Sequence, residues 1–62
     1  MLYRVVLIFP DTENLAGFVE HIETSGEVFG NDYTFVGNLT EEQVSFARRH
    51  FQAYVRLVRA IE

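Results

Sequence analysis

The sequence predicts a single α+β domain over residues 1–62, with strands and helices in the order β-α-β-β-α. A short segment rich in β-branched and aromatic residues comes first and ends at Pro10. Apolar residues at helical spacing follow it, and a helix-capping sequence at Thr40 begins a second helical segment. Hydrophobic residues make up 48% of the chain, a content that excludes intrinsic disorder.

Residues 2–9 are predicted to form the first strand, because they are too few for a helix before Pro10 and favour extended backbone. Alternate residues point to opposite faces of a strand, and both faces here are apolar apart from Arg4. We therefore expect both faces of this strand to be covered, at least in part.

The first helix is predicted to begin at Asp11 or Thr12, either of which can cap its free N–H groups. Gly26 is the expected stop of this helix. Gly17 lies opposite the apolar face and costs about 1 kcal/mol relative to Ala, for no reason evident in the sequence. The apolar positions have the spacing i, i+3, i+4, i+7 and are Leu15, Phe18, Val19 and Ile22.

Residues 27–29 and 33–38 are predicted to form a β-hairpin. The intervening Gly30, Asn31 and Asp32 tolerate the left-handed conformations that tight turns require. Gly37 is expected to mark a bulge or the end of the second of these strands.

The second helix is predicted to begin at about residue 41 and to run nearly to the C-terminus. Residues 40–43, Thr-Glu-Glu-Gln, form a capping box, and Leu39 can pack against Val44 across the helix start. If residues 41–61 form one helix, their apolar side chains form two adjacent rows along it, here called seams. Together the two seams cover an arc of roughly 220° around the helix, about twice the arc that normally faces a core.

One seam can lie against the domain's own sheet, and the other needs a second surface. The chain has no cysteine, and its two histidines lack thiolate partners at zinc-binding spacing, so oligomerisation is the remaining way to stabilise 62 residues. We therefore expect a homodimer, or a subunit of a larger assembly. The predicted interface residues are Phe46, His50, Ala53, Leu57, Ala60 and Ile61.

The element order predicts a three-stranded sheet with strand order 1-3-2, a split β-α-β arrangement with two helices on one face. This topology resembles a ferredoxin-like fold that lacks its last strand. The first strand would then be an edge of the sheet, and it carries neither Pro nor Lys to discourage pairing with another chain.

Charge is divided along the chain, with eight acidic residues and one Arg in residues 1–47, and four Arg and one Glu in residues 48–62. A face with four arginines is either simply solvated or a contact for an anion or an acidic protein partner. Nucleic acid is a less expected partner, because the net charge of −4 is opposite to that of a typical nucleic-acid binder. The candidate contact residues are Arg48, Arg49, Arg56 and Arg59.

No residue pattern indicates catalysis, a cofactor or a metal site, so an enzyme is not expected. Ser25 and Ser45 have no sequence context of a nucleophile, and the glycines match neither a dinucleotide fingerprint nor a phosphate loop. His50 lies within the predicted interface, where protonation would oppose apolar packing and make the contact sensitive to pH. His21 is expected to be exposed beside the first helix's apolar face.

The sequence has no targeting segment and no run of about 20 apolar residues, which favours a cytoplasmic protein outside the membrane. The expected function is that of a small intracellular interaction or assembly protein that acts through its C-terminal helix. The alternative is a nucleic-acid-binding regulator that uses the arginines of that helix.

Overall fold

Four strands and two helices make up the part of the chain that the computed structural model describes, residues 2–22 and 26–61. The α+β class, both helices and the hairpin are therefore confirmed. Ser25 lies outside the described residues. In chain order the elements are β1 (Leu2–Ile8), α1 (Thr12–His21), β2 (Gly26–Phe29), a short 3-10 turn (Gly30–Asp32), β3 (Thr34–Thr40), α2 (Glu41–His50) and β4 (Tyr54–Ala60).

The sheet is antiparallel, with strand order β2-β3-β1-β4. β1 lies in its interior, because Val5 is opposite Gly37 of β3 on one side and Val58 of β4 on the other. The predicted three-stranded sheet of order 1-3-2 is therefore wrong, since the C-terminal segment adds a fourth strand beside β1. The connectivity is that of a complete split β-α-β unit, the ferredoxin-like arrangement.

The second helix ends at His50, so the prediction that it runs nearly to the C-terminus is wrong. The N–H groups of Phe51 and Ala53 both donate to the Ala47 carbonyl, at 3.0 and 3.1 Å. Between them, Gln52 has a left-handed backbone conformation with a φ of 55°. Glycine is the usual residue in such a helix ending, and its absence leaves this stop without a local signal in the sequence.

Gln52→Gly is expected to raise the free energy of unfolding by about 0.5–1 kcal/mol, because glycine adopts a positive φ without a clash at Cβ. In a domain this small, the thermal midpoint should rise by about 2–8 °C in circular dichroism melts. Gln52→Ala is the control, since it removes the same side chain but keeps the Cβ. If the two variants melt alike, the backbone at this position is not strained.

Both helices begin where the sequence predicts. The Thr40 hydroxyl accepts the Gln43 N–H at 3.2 Å, and the Gln43 side-chain oxygen accepts the Thr40 N–H at 2.9 Å. This reciprocal pair confirms the capping box. Of the two candidates for the first cap, Asp11 rather than Thr12 has the role, because its side chain accepts the Asn14 N–H at 2.8 Å.

The hydrophobic core lies between one face of the sheet and the two helices. Phe18 is at its centre, with its ring centroid 5.4, 5.5 and 6.0 Å from those of Phe9, Phe35 and Phe51. Both helices contribute to one buried cluster with β1 and β3, so they lie on the same face of the sheet. The cluster consists of Val5, Leu7, Phe9, Leu15, Phe18, Ile22, Phe35, Leu39, Ala47 and Ala53.

Three glycines leave room for aromatic rings. Gly26 is opposite Gly37, and a Cβ on these residues would lie 2.5 and 2.9 Å, respectively, from the Phe35 ring. A Cβ on Gly17 would lie 2.8 Å from the Phe51 ring. This close approach explains the glycine, for which the sequence shows no reason. The predicted roles of Gly26 as a helix stop and of Gly37 as a bulge or strand end are wrong, because α1 ends before Gly26 and β3 continues past Gly37.

The turn of the hairpin also differs from expectation. Gly30–Asp32 form a 3-10 turn, and the residue with left-handed backbone is Tyr33, with a φ of 53°. The Tyr33 carbonyl accepts the Phe9 N–H at 2.8 Å, so the turn is tied to the end of β1. This long-range hydrogen bond helps to hold a conformation that the local sequence does not favour.

Candidate functional site

The face of the sheet that points away from the helices is not covered by any element of the described residues. Residues opposite each other in an antiparallel pair point to the same face, so the strand register defines which side chains share it. We call this surface the open face. It consists of Leu2, Arg4, Val6 and Ile8 on β1, Glu27 and Phe29 on β2, Thr34, Val36, Asn38 and Thr40 on β3, and Tyr54, Arg56, Leu57 and Arg59 on β4.

The centre of the open face is apolar. Val6 on β1 is opposite Val36 on β3 and Leu57 on β4, and Ile8 lies further along β1. An antiparallel sheet with one face in water normally alternates apolar and polar residues, and these side chains break that alternation. Leu57 has 48% of its surface exposed, whereas Val6, Ile8 and Val36 are half-buried. A contiguous apolar patch that is still in part accessible to solvent is typical of an interaction surface.

The charged residues of the open face are divided by sign. Arg4 and Arg59 are opposite each other on β1 and β4, and Arg56 is also on β4. Like charges in opposite positions disfavour strand pairing unless an anionic group approaches them. The acidic residues belong to the other edge, Glu27 on β2 and Asp32 in the turn that follows β2. Within the single chain, Glu27 lines a groove with Arg4. Asp32 lines another groove with Arg56. The open face is therefore basic along β4 and acidic along β2.

The two edge strands have features that discourage pairing with another chain. β2 has four residues. In β4, Leu57 pairs with Val6 and Val55 with Leu7, which leaves Arg56 as an extra residue in a β-bulge. Short edge strands, bulges and charged side chains are common ways to prevent association through an edge. The open face is thus a more favourable contact surface than either edge.

The residues of the predicted interface do not form one surface. Of the six, Leu57 lies on the open face. Ala53 is buried in the domain's own core, and Ala60 points to the helix side of the sheet. Ile61 follows β4 and is 43% exposed. The continuous helical seam is absent because these residues belong to a strand and its flanking segments.

The other two predicted interface residues, Phe46 and His50, are on α2. The Phe46 ring centroid is 4.2 Å from that of His21, in a stacked arrangement, and 4.4 Å from that of His50. His21 is exposed, which confirms that prediction. His50 is also exposed in the single chain, and its predicted contact with a partner stays a prediction. The helix ends at His50, and the apolar turns that would have flanked it do not form.

The four arginines that were predicted to share one face of the second helix lie on different surfaces. Arg48 and Arg49 are exposed on α2, whereas Arg56 and Arg59 belong to the open face. The prediction that they share one face is wrong, because it assumes helical periodicity for residues 54–60. On the open face, Arg56 and Arg59 are joined by Arg4, which was not predicted to belong with them. The alternating pattern of a strand over residues 54–60 is the sequence signal that indicates this grouping.

Within residues 2–22 and 26–61, no three potential metal ligands among His, Asp and Glu are grouped closely enough to hold an ion. The two helices of this part of the chain are too short and too polar to cross a membrane. No protein-family model matches the sequence, and no curated protein or solved structure matches it significantly. The open face is therefore the feature from which a function can be inferred.

Proposed function

We propose that this protein is an assembly domain that associates with a second copy of itself through the open face. The single observation that carries the proposal is the apolar centre formed by Val6, Ile8 and Val36, at positions where a solvated sheet would be polar. Packing two such faces together would remove these side chains from water in both copies.

A second copy is the occupant that the dimensions and stability of the domain favour. A chain of 62 residues without cysteine gains from oligomerisation, because its own core is small. Four strands about 4.8 Å apart and seven residues with a rise of about 3.4 Å give the open face dimensions of about 19 by 24 Å. Such a footprint is about 460 Å² per copy, below the usual size of stable complexes, so we expect weak association with a dissociation constant of about 1–100 μM.

Binding of nucleic acid is the second candidate, because Arg4, Arg56 and Arg59 share the open face. Sheets that bind single-stranded RNA use aromatic rings on which the bases stack. The centre of this face is aliphatic, and its exposed aromatic residues, Phe29 and Tyr54, lie on the edge strands. The net charge of −4 also opposes the approach of phosphates. Self-association is therefore the better supported of the two.

Leu57→Gln is expected to weaken self-association about 10-fold or more. Each of the two copies would lose about 1 kcal/mol of burial, since roughly half of the leucine remains to be buried by a partner. Val58→Gln is the matched control, because Val58 is also 48% exposed on β4 but points to the helix side. Light scattering over about 1–500 μM should show the shift towards monomer for the first variant alone.

Three results would count against the proposal. A wild-type chain that stays monomeric and folded over the whole concentration range would exclude self-association. Equal weakening by the Leu57 and Val58 variants would place the contact outside the open face. Salt-dependent binding of a labelled single-stranded oligonucleotide by a monomer, lost in Arg56→Gln, would favour the nucleic-acid candidate.

A further inference from the structure

We infer that two copies stack with their open faces together, about a two-fold axis parallel to the strands, so that β4 of each copy lies over β2 of the other. This inference rests on the proposed function and adds the arrangement of the partner. The observation behind it is the division of charge on the open face, with Arg56 and Arg59 on β4 and Glu27 and Asp32 on the β2 side.

Two kinds of two-fold axis can stack identical sheets face to face with their strands aligned. An axis across the strands would place β4 over β4 of the partner, which brings arginines against arginines. An axis along the strands reverses the strand order of the partner, so the basic side of one face meets the acidic side of the other. Like-charge contacts disfavour an interface and opposite charges specify it, so the second arrangement is selected.

The strand register places one pair of opposite charges, Glu27 and Arg56, at compatible heights. Glu27, Val36, Val6 and Leu57 form one row across the sheet, and the bulged Arg56 immediately precedes Leu57. A two-fold axis along the strands keeps this row level between the copies when there is no displacement along the axis. Glu27 of one copy then lies over Leu57 and the adjacent Arg56 of the other, while Val6 of each copy faces Val36 of the other.

A charge exchange tests whether the charged residues of the open face meet across the interface, and cross-linking then distinguishes the two axes. Arg56→Glu/Arg59→Glu makes the open face acidic on both sides, and Glu27→Arg/Asp32→Arg makes it basic on both sides. Each double variant alone should associate at least about 10-fold more weakly than wild type, because like charges meet at both contacts. An equimolar mixture should form a heterodimer with near wild-type affinity, observable by native mass spectrometry, because opposite charges meet at both contacts.

Two controls carry the same change in net charge on the helix side. Arg48→Glu/Arg49→Glu on α2 and Glu13→Arg/Glu20→Arg on α1 alter exposed residues away from the open face. They should leave the dissociation constant within about threefold of wild type at physiological salt. Loss of association in these controls equal to that in the open-face variants would show a net-charge effect and overturn the inference.

Cross-linking gives a second readout that does not depend on the fold of the charge variants. The chain has no cysteine, so single cysteines can be introduced without background. A mixture of Glu27→Cys and Leu57→Cys should be joined by a short thiol-reactive linker, whereas Leu57→Cys alone should be joined much less. The reverse result would favour an axis across the strands and overturn the arrangement.

The outcomes separate this inference from the proposed function. A wild-type chain that remains monomeric defeats both. A wild-type dimer weakened by Leu57→Gln, together with double variants that do not form a heterodimer, leaves the open face as the contact but rejects the β4-over-β2 arrangement.

Discussion

Phe18→Ala is expected to destabilise the fold by about 3–5 kcal/mol, between a third and all of its total stability. The Phe18 side chain is fully buried, and its ring contacts those of Phe9, Phe35 and Phe51, so one truncation removes contacts between α1, the sheet and the end of α2. Removal of a buried phenylalanine costs about 3–5 kcal/mol, whereas a domain of this size has a total stability of about 3–9 kcal/mol. Circular dichroism and near-ultraviolet spectra would report the loss.

Phe29→Ala is the matched control for this prediction. Phe29 lies on the open face and is 45% exposed, so the same truncation removes little from the core. The variant should keep the fold and, if the open face is the contact, should self-associate more weakly. Equal loss of stability in the two variants would show that the aromatic cluster around Phe18 does not form the centre of the core.

Gly26→Ala is expected to destabilise the fold by about 1–3 kcal/mol, the usual cost of an extra group in a filled core. The added Cβ would lie 2.5 Å from the ring of Phe35 and 2.9 Å from the Val36 carbonyl oxygen, and neither neighbour is free to move. Phe35 is itself buried against Phe18, so a shift of the ring would disturb the aromatic cluster. Denaturant unfolding followed by circular dichroism would measure the change.

Gly30→Ala serves as the control, because no described heavy atom outside its neighbours lies within 4 Å of the added Cβ. Its stability should be equal to wild type or slightly higher, since alanine restricts the unfolded chain more than glycine does. If Gly26→Ala is as stable as Gly30→Ala, the ring of Phe35 can leave its place beside the glycine pair at little cost.

Local chemistry determined several elements from the sequence alone. β1, the helix starts and the hairpin follow from signals within a few residues, such as Pro10 after an apolar segment or the capping box at Thr40. A cap, a short apolar segment or a turn depends on interactions between neighbours in the chain. These elements can therefore be read before any tertiary contact is known.

The tertiary structure decided the remaining elements. The apolar side chains of residues 54–60 fit either a helix or a strand. They form a strand because β1, which pairs with β3 on one side, offers the backbone groups of its other edge as hydrogen-bond partners. Gln52 has a left-handed backbone conformation although glycine, the usual sequence signal for it, is absent at this position. The rings of Phe35 and Phe51 likewise explain glycines whose roles no local rule indicates.

The candidate site changed for the same reason. In a helix, residues 57, 60 and 61 would share a face, whereas in a strand the side-chain period is two and residues 57 and 60 point to opposite faces. The sequence therefore predicted Leu57, Arg56 and Arg59 as contact residues. It did not predict that they share a surface with Val6, Arg4 and Val36. That grouping depends on hydrogen bonds between strands far apart in the chain, which only the folded sheet brings together.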